Sequence, residues 1–138
     1  MRPIGREGHV PVINAMTDLV HPCQILADVL TLQELSRFSS STKIVFVGDG
    51  NNIVNSWLEL AEKFPIYFVL SCPAGYEPHP QILEQAQAAA ISKIEFIQDP
   101  MEAVKDVLDG KHSIVLQQAE NRLHIQKGII GYLLQKAA

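Results

Sequence analysis

The chain holds 138 residues, 47% apolar and 19% charged, with a formal net charge of −4. That length suits one domain, residues 1–138, burying roughly two-thirds of its unfolded surface, and the apolar content excludes a disordered chain. No apolar run approaches the ~20 residues of a membrane span, Met1–Arg6 lacks the apolar core of a secretory signal, and no Lys/Arg run invites nucleic acid or anionic lipid, so neither membrane nor nucleic acid is an expected partner.

Val10–Asn14 reads as a short strand. A helix follows from His21 to Phe38, with Asp18 as its cap and Pro22 in the first turn, where the missing N–H costs least. Ser39–Thr42 is a loop, and Lys43–Gly48 a buried strand by its β-branched and aromatic run. The turn Asp49–Asn52 leads into a helix through about Lys63. Ile66–Leu70 is a second buried strand, residues 79–90 an Ala/Gln-rich helix, and Lys93–Gln98 a third strand. Pro100 opens a helix to about Leu108, Ser113–Gln117 is a fourth strand, and Ala119–Lys136 a final helix. This alternation implies an α/β fold: a three-layer αβα sandwich around a parallel, Rossmann-like sheet of four strands, or five. Right-handed crossovers give the order Lys93–Gln98, Ile66–Leu70, Lys43–Gly48, Ser113–Gln117. Ligands then belong at the carboxyl ends of the strands, with the switch point at Gly48–Asn52.

Several side chains near those ends could carry chemistry. Gly48-Asp49-Gly50-Asn51-Asn52 lacks both the Lys-Ser/Thr of a Walker loop and the third glycine of a dinucleotide fingerprint. It is either an anion cradle at a helix start or a tight turn with Asn as helix cap. His21 and Gln24 set an imidazole and an amide at a helix start, as oxygen-directed donors or as capping residues. Arg122 either reaches an anion or is a solvated helix arginine. Cys23 and Cys72 have no base nearby in sequence and read as buried filler. They form neither a zinc pattern nor a disulfide framework, which points to a reducing cytoplasm.

Taken in order, Val10-Pro11-Val12-Ile13-Asn14, Thr17-Asp18, His21-Pro22-Cys23-Gln24 with Leu26-Ala27-Asp28, Gly48-Asp49-Gly50-Asn51-Asn52, Gly75-Tyr76-Glu77-Pro78, Asp99-Pro100 with Glu102-Ala103, and Ala119-Glu120-Asn121-Arg122 resemble ornithine carbamoyltransferase. The resemblance runs from about Val10 to Leu134. It implies transfer of a carbamoyl group from carbamoyl phosphate to the δ-amine of ornithine, giving citrulline and phosphate in arginine biosynthesis, with no metal and no cofactor. It implies that His21 and Gln24 polarise the carbamoyl carbonyl, that Arg122 holds the same ligand, and that Asn52, with Asn51 and Asp49, contacts the amino acid.

The resemblance also marks what the chain does not contain. The family's Ser-Thr-Arg-Thr-Arg phosphate loop has no counterpart in it. Near Asp106-Val107 the segments with Asp-x-x-x-Ser-Met-Gly and His-Cys-Leu-Pro are skipped, and Gln117 sits where an acidic residue is usual. Two expectations follow: a carbamoyltransferase whose isolated chain is catalytically incompetent, or a non-catalytic minimal domain of that descent with at most weak amino-acid or anion binding. A low charged fraction and apolar residues along the first and last helices predict a homo-oligomer in either case.

Overall fold

A computed structural model describes residues 12–103, 121, 124–130, 132, 133 and 135. The order is α1 (Pro22–Glu34), β1 (Lys43–Val47), α2 (Asn52–Ala61), β2 (Tyr67–Ser71), α3 (Pro80–Ala89) and β3 (Lys93–Phe96). Residues 100–103 and the described residues from 121 onward are also helical.

The three strands pair in parallel in the order β1-β2-β3, with Lys43, Tyr67 and Lys93 in one row and Phe46, Leu70 and Phe96 in another. Each strand returns through one helix to its immediate neighbour, as successive crossovers in one direction require. The order matches the sequence expectation for these strands. The expected fourth strand, Ser113–Gln117, lies outside the described residues.

The core forms where α2 covers the sheet. Phe68, Leu70, Ile44, Phe46 and Ile94 alternate onto the face that meets α2 and α3, and Trp57 stacks on Phe68 with ring centroids 6.2 Å apart. β2 is central, so Phe68, Val69 and Leu70 are all buried, which explains its unbroken apolar run. α1 rides outside α2, with Ile25 in the same core. The final helix is anchored to α1 by buried Asn121, whose Nδ2 donates to Thr31 Oγ1 at 3.0 Å and to Glu34 Oε2 at 2.7 Å. Among the described residues no helix is long and apolar enough to cross a membrane.

Four departures from the sequence reading have a visible cause. Residues 12–14 are not a strand. They lead toward α1, where the Cys23 thiol meets Asn14 O at 3.5 Å. Asp18 is not the cap of α1. That position belongs to His21, and Asp18 lies in a turn closed by reciprocal bonds between Thr17 and Val20. α1 stops at Glu34 rather than Phe38 because Ser36 adopts φ 54°, with Ser36 N–H bonded to Gln33 O and Arg37 N–H to Leu32 O. These paired bonds are a Schellman stop built on serine instead of glycine. β3 ends at Phe96 rather than Gln98 because Gln98 O accepts from the Ser71 hydroxyl instead of a neighbouring strand.

Candidate functional site

The first two turns of α2 carry Asn52, Asn55 and Ser56, three polar residues in a helix whose remaining positions are apolar except for Glu59. Spacings of three and four put them on one helical face. Asn52 Nδ2 donates to Thr17 O at 2.7 Å, Asn55 Nδ2 donates to Leu19 O at 3.0 Å, and the His21 N–H donates to Ser56 Oγ at 2.7 Å. The segment Thr17–His21 is thereby strapped along α2, and the starts of α1 and α2 become neighbours. His21 and Asn52, thirty-one positions apart in sequence, are thereby linked through Ser56, whose hydroxyl accepts from the His21 N–H and donates to Asn52 O at 2.9 Å.

The loop between β1 and α2 is shaped from the other side. The Gly50 N–H donates to Tyr76 O at 2.7 Å, and a Cβ at Gly50 would stand 2.2 Å from the Pro78 backbone nitrogen. Only glycine permits that approach. Gly48 takes φ +152° where β1 turns out of the sheet. Asn55 closes the arrangement, since its Oδ1 accepts from the His79 N–H at 3.0 Å and so pins the start of α3 to α2.

Of the expected substrate-contacting residues, Asn51 is the N-cap of α2. Its Oδ1 accepts from the N–H groups of Ile53 and Val54, and its Nδ2 donates to Asp49 Oδ1 at 2.9 Å. The reading of this loop as a turn capped by asparagine therefore holds. Asp49 is exposed and serves Asn51, while Asn52 is half-buried and strapped to Thr17. His21 is 8% exposed, and its Nδ1 is buried with no partner among the described residues. Gln24, one turn along α1, donates its amide to Asp28 Oδ1 at 3.0 Å. Arg122 lies outside the described residues.

Neither thiol is built as a nucleophile. Cys23 is buried against Asn14 O, and burial, then the Glu77 carboxylate, pushes the Cys72 thiol above its ordinary range. Both effects disfavour the thiolate that nucleophilic attack requires. A cleft of about 210 Å³ at the carboxyl ends of β2 and β3 is lined by Leu70, Cys72, Ala74, Glu77 and Phe96, and contains none of the expected site residues. Asn55 and Ser56, which strap the candidate site together, are the residues that sequence reasoning missed.

Comparison with known proteins gives this geometry a family. Residues 40–107 match the Asp/Orn binding domain of aspartate/ornithine carbamoyltransferase, and residues 2–34 match the carbamoyl-P binding domain of the same family. His21 and Gln24 therefore fall in the carbamoyl-phosphate portion and Asn52 in the amino-acid portion. An ornithine carbamoyltransferase from Chlorobaculum tepidum is 36% identical over 190 residues, covering 95% of this chain and 56% of the relative. One from Desulfotalea psychrophila is 50% identical over 95 residues, covering 69% of this chain and 31% of the relative. The crystal structure of the Thermus thermophilus ornithine carbamoyltransferase superposes with a TM-score of 0.78 at 30% identity, covering 94% of this chain and 61% of that one. The chain thus spans little more than half the length of such relatives. A match running over 190 residues of a relative exceeds the chain's own 138, so the relative carries internal residues that this chain lacks. The amino-acid-domain match ends at residue 107. Together these matches describe a partial aspartate/ornithine carbamoyltransferase-like chain, in which residues 2–34 resemble the carbamoyl-P binding domain and residues 40–107 the Asp/Orn binding domain.

Proposed function

We propose that this chain contributes the carbamoyl-polarising and amino-acid-facing residues of an ornithine carbamoyltransferase site, and that its 138 residues alone do not complete the reaction. The observation that carries the reading is the strap of α2 onto Thr17–His21, which supports one shared site for residues from two domain families. In that site His21, Gln24 and Arg122 donate toward the carbamoyl oxygen, where negative charge grows as the ornithine δ-amine attacks. Asn52, with Asn51 and Asp49 shaping its loop, faces the amino-acid end of ornithine. Asn51 acts through the backbone, because its own polar atoms are spent on the helix cap and on Asp49.

The incompetence of the isolated chain follows from what remains to hold the leaving group. The phosphate-loop sequence is not among these residues, and losing one electrostatic donor typically costs ~10²–10³ in rate. The Gln24 amide is also committed to Asp28 and must be released before it can serve a ligand. The setting for the reaction is arginine biosynthesis in the cytoplasm, with ornithine and carbamoyl phosphate as small-molecule partners and no metal or cofactor. The 138 residues act as one folding unit.

The test is a citrulline assay at saturating substrates, with the chain alone and with a separately supplied phosphate-loop domain, repeated in Arg122→Ala. No citrulline above background is expected from the chain alone. Turnover by the chain alone that vanishes in Arg122→Ala overturns the incompetence. A second reading, a self-associating module without catalysis, is favoured by Leu26 and Phe64, which stay exposed on the α1–α2 side.

A further inference from the structure

We infer that the cleft at the carboxyl ends of β2 and β3 binds a small organic monocation, an ammonium carried on an apolar stem. Neither His21 nor Asn52 lines it, so it is separate from the candidate carbamoyl site. Its walls follow from the way the two strands end. Leu70 and Phe96 stand opposite each other in register, and the Ile97 N–H donates to Leu70 O at 3.0 Å as the last rung. Beyond that rung, a side-chain bond from the Ser71 hydroxyl to Gln98 O takes the place of backbone pairing. The chain after β2 then leaves through Cys72 into a turn closed by the Tyr76 N–H on Pro73 O at 3.1 Å. The hollow, about 210 Å³, is lined by Leu70, Cys72 and Glu77 from the β2 end and by Phe96 and Ile97 from the β3 end. Phe96 keeps 44% of its surface open, while Leu70 is buried.

Charge selects the ligand. Glu77 is the ionisable carboxylate of the lining, and no lysine, arginine or histidine accompanies it there. Its Oε1 accepts from the Gly75 N–H at 3.0 Å, in a turn where Gly75 takes φ +86°. That bond, and then one from its own N–H, hold the Glu77 carboxyl below its usual range, so it stands ionised and fixed in place. Among the described residues no cation pairs with it. Burial, and then the same carboxylate, keep the Cys72 thiol neutral. The cleft therefore offers one fixed negative charge against apolar walls and an aromatic ring, which itself attracts a cation at close range. An anion is repelled by Glu77, and a neutral molecule gains the walls alone.

Amide NMR titration of the whole chain with phenethylammonium reads the site. Millimolar binding is expected, with shifts centred on the amides of Cys72, Glu77 and Ile97. Phenethyl alcohol, of the same shape without the charge, binds about fivefold more weakly, the upper range for an exposed ion pair. Hydrocinnamate, the anionic counterpart, binds more weakly still. Glu77→Gln removes the preference for the amine and leaves the affinity for the alcohol unchanged, whereas Phe96→Ala weakens both. Both side chains are exposed, and unmoved amide signals in α2 check that each variant keeps its fold. Equal binding of amine and alcohol by the wild type, or a preference that survives Glu77→Gln, overturns recognition of a cation. Shifts centred elsewhere, or none at tens of millimolar amine, overturn the cleft as a site. The carbamoyltransferase reading stands or falls separately, on citrulline.

Discussion

Asn55 holds His79 to the face of α2: the His79 backbone N–H donates to Asn55 Oδ1 at 3.0 Å, while the same side chain's Nδ2 donates to Leu19 O. One buried amide therefore spans three segments, the approach to α1, the first turns of α2 and the start of α3. Asn55→Ala leaves the Leu19 carbonyl and the His79 N–H without that partner in a half-buried place, at about 1–2 kcal/mol for each unmade bond. A loss of about 2–4 kcal/mol in urea unfolding is expected. Asn55→Asp keeps an acceptor for His79 but no donor for Leu19, and lies between wild type and alanine.

Gly50→Ala drives a methyl group into the backbone of Glu77 and Pro78, whose atoms stand 2.2–2.4 Å from the new Cβ. No side-chain rotation relieves that clash, so the loops must separate. The expected cost is about 3 kcal/mol, at the high end for overpacking. The Gly50–Tyr76 hydrogen bond breaks as well, and faster amide exchange at Gly50 is the local readout.

Ala90→Gly is expected to stabilise the chain. Ala90 closes α3 in the left-handed region at φ 53°, where a Cβ costs roughly 1–2 kcal/mol. Glycine removes that cost and returns part of it as unfolded-state entropy. The net gain is about 0.5–1 kcal/mol, a rise of a few degrees in Tm by calorimetry. Ala88→Gly, inside the same helix, shifts Tm in the opposite direction.

The outer row of the sheet carries a pH dependence of known sign. Lys93 Nζ sits 2.7 Å from Glu95 Oε1 and 4.1 Å from the Tyr67 ring centre, and the Tyr67 hydroxyl donates to Glu95 Oε2. Lys93 first, then Tyr67, hold the Glu95 carboxyl below its ordinary 4.5, and Glu95 first raises Lys93 above 10.5. A lowered carboxylate stabilises the fold above its unfolded pKa, and that contribution fades as pH falls through the folded value. A raised ammonium stabilises below its unfolded pKa and loses effect as pH rises through the folded one. The cluster therefore acts between about 4.5 and 10.5. Lys93→Met is expected to move the Glu95 titration midpoint upward by carboxyl-detected NMR. An unmoved midpoint would count against this cluster.

How much of this was readable from sequence depended on the range of the forces involved. β2 declared itself because burial on both faces demands an unbroken apolar run, and the Asn51 cap was visible as one of two local choices. The end of α1 was not, because the left-handed stop is usually glycine and here it is Ser36. His21 and Asn52 stood out locally as candidates with two readings each, and only motif order gave them expected roles, since nothing local distinguishes a donor histidine from a capping one. Asn55 and Ser56 stayed hidden for another reason. Their partners lie 24 to 36 residues away, and a polar side chain on an apolar helix does not say what it will bond. Spacing of three and four with Asn52 was the available signal.

The bond from Asn121 to Thr31 spans ninety positions, and it sets a timetable for the growing chain. At ~5–20 residues per second, everything from α1 to β3 emerges seconds before Asn121 leaves the ribosome. Sheet pairing needs only neighbours already made, so it proceeds at once. Thr31, deep in the finished protein, meanwhile has only its own helix to answer it, through the bond to Ala27 O. The outer helix layer is thus the last to set. A nascent chain that has emerged past β3 but not yet to residue 121 displays a paired sheet with one side of α1 still bare, the form most open to chaperones and proteases.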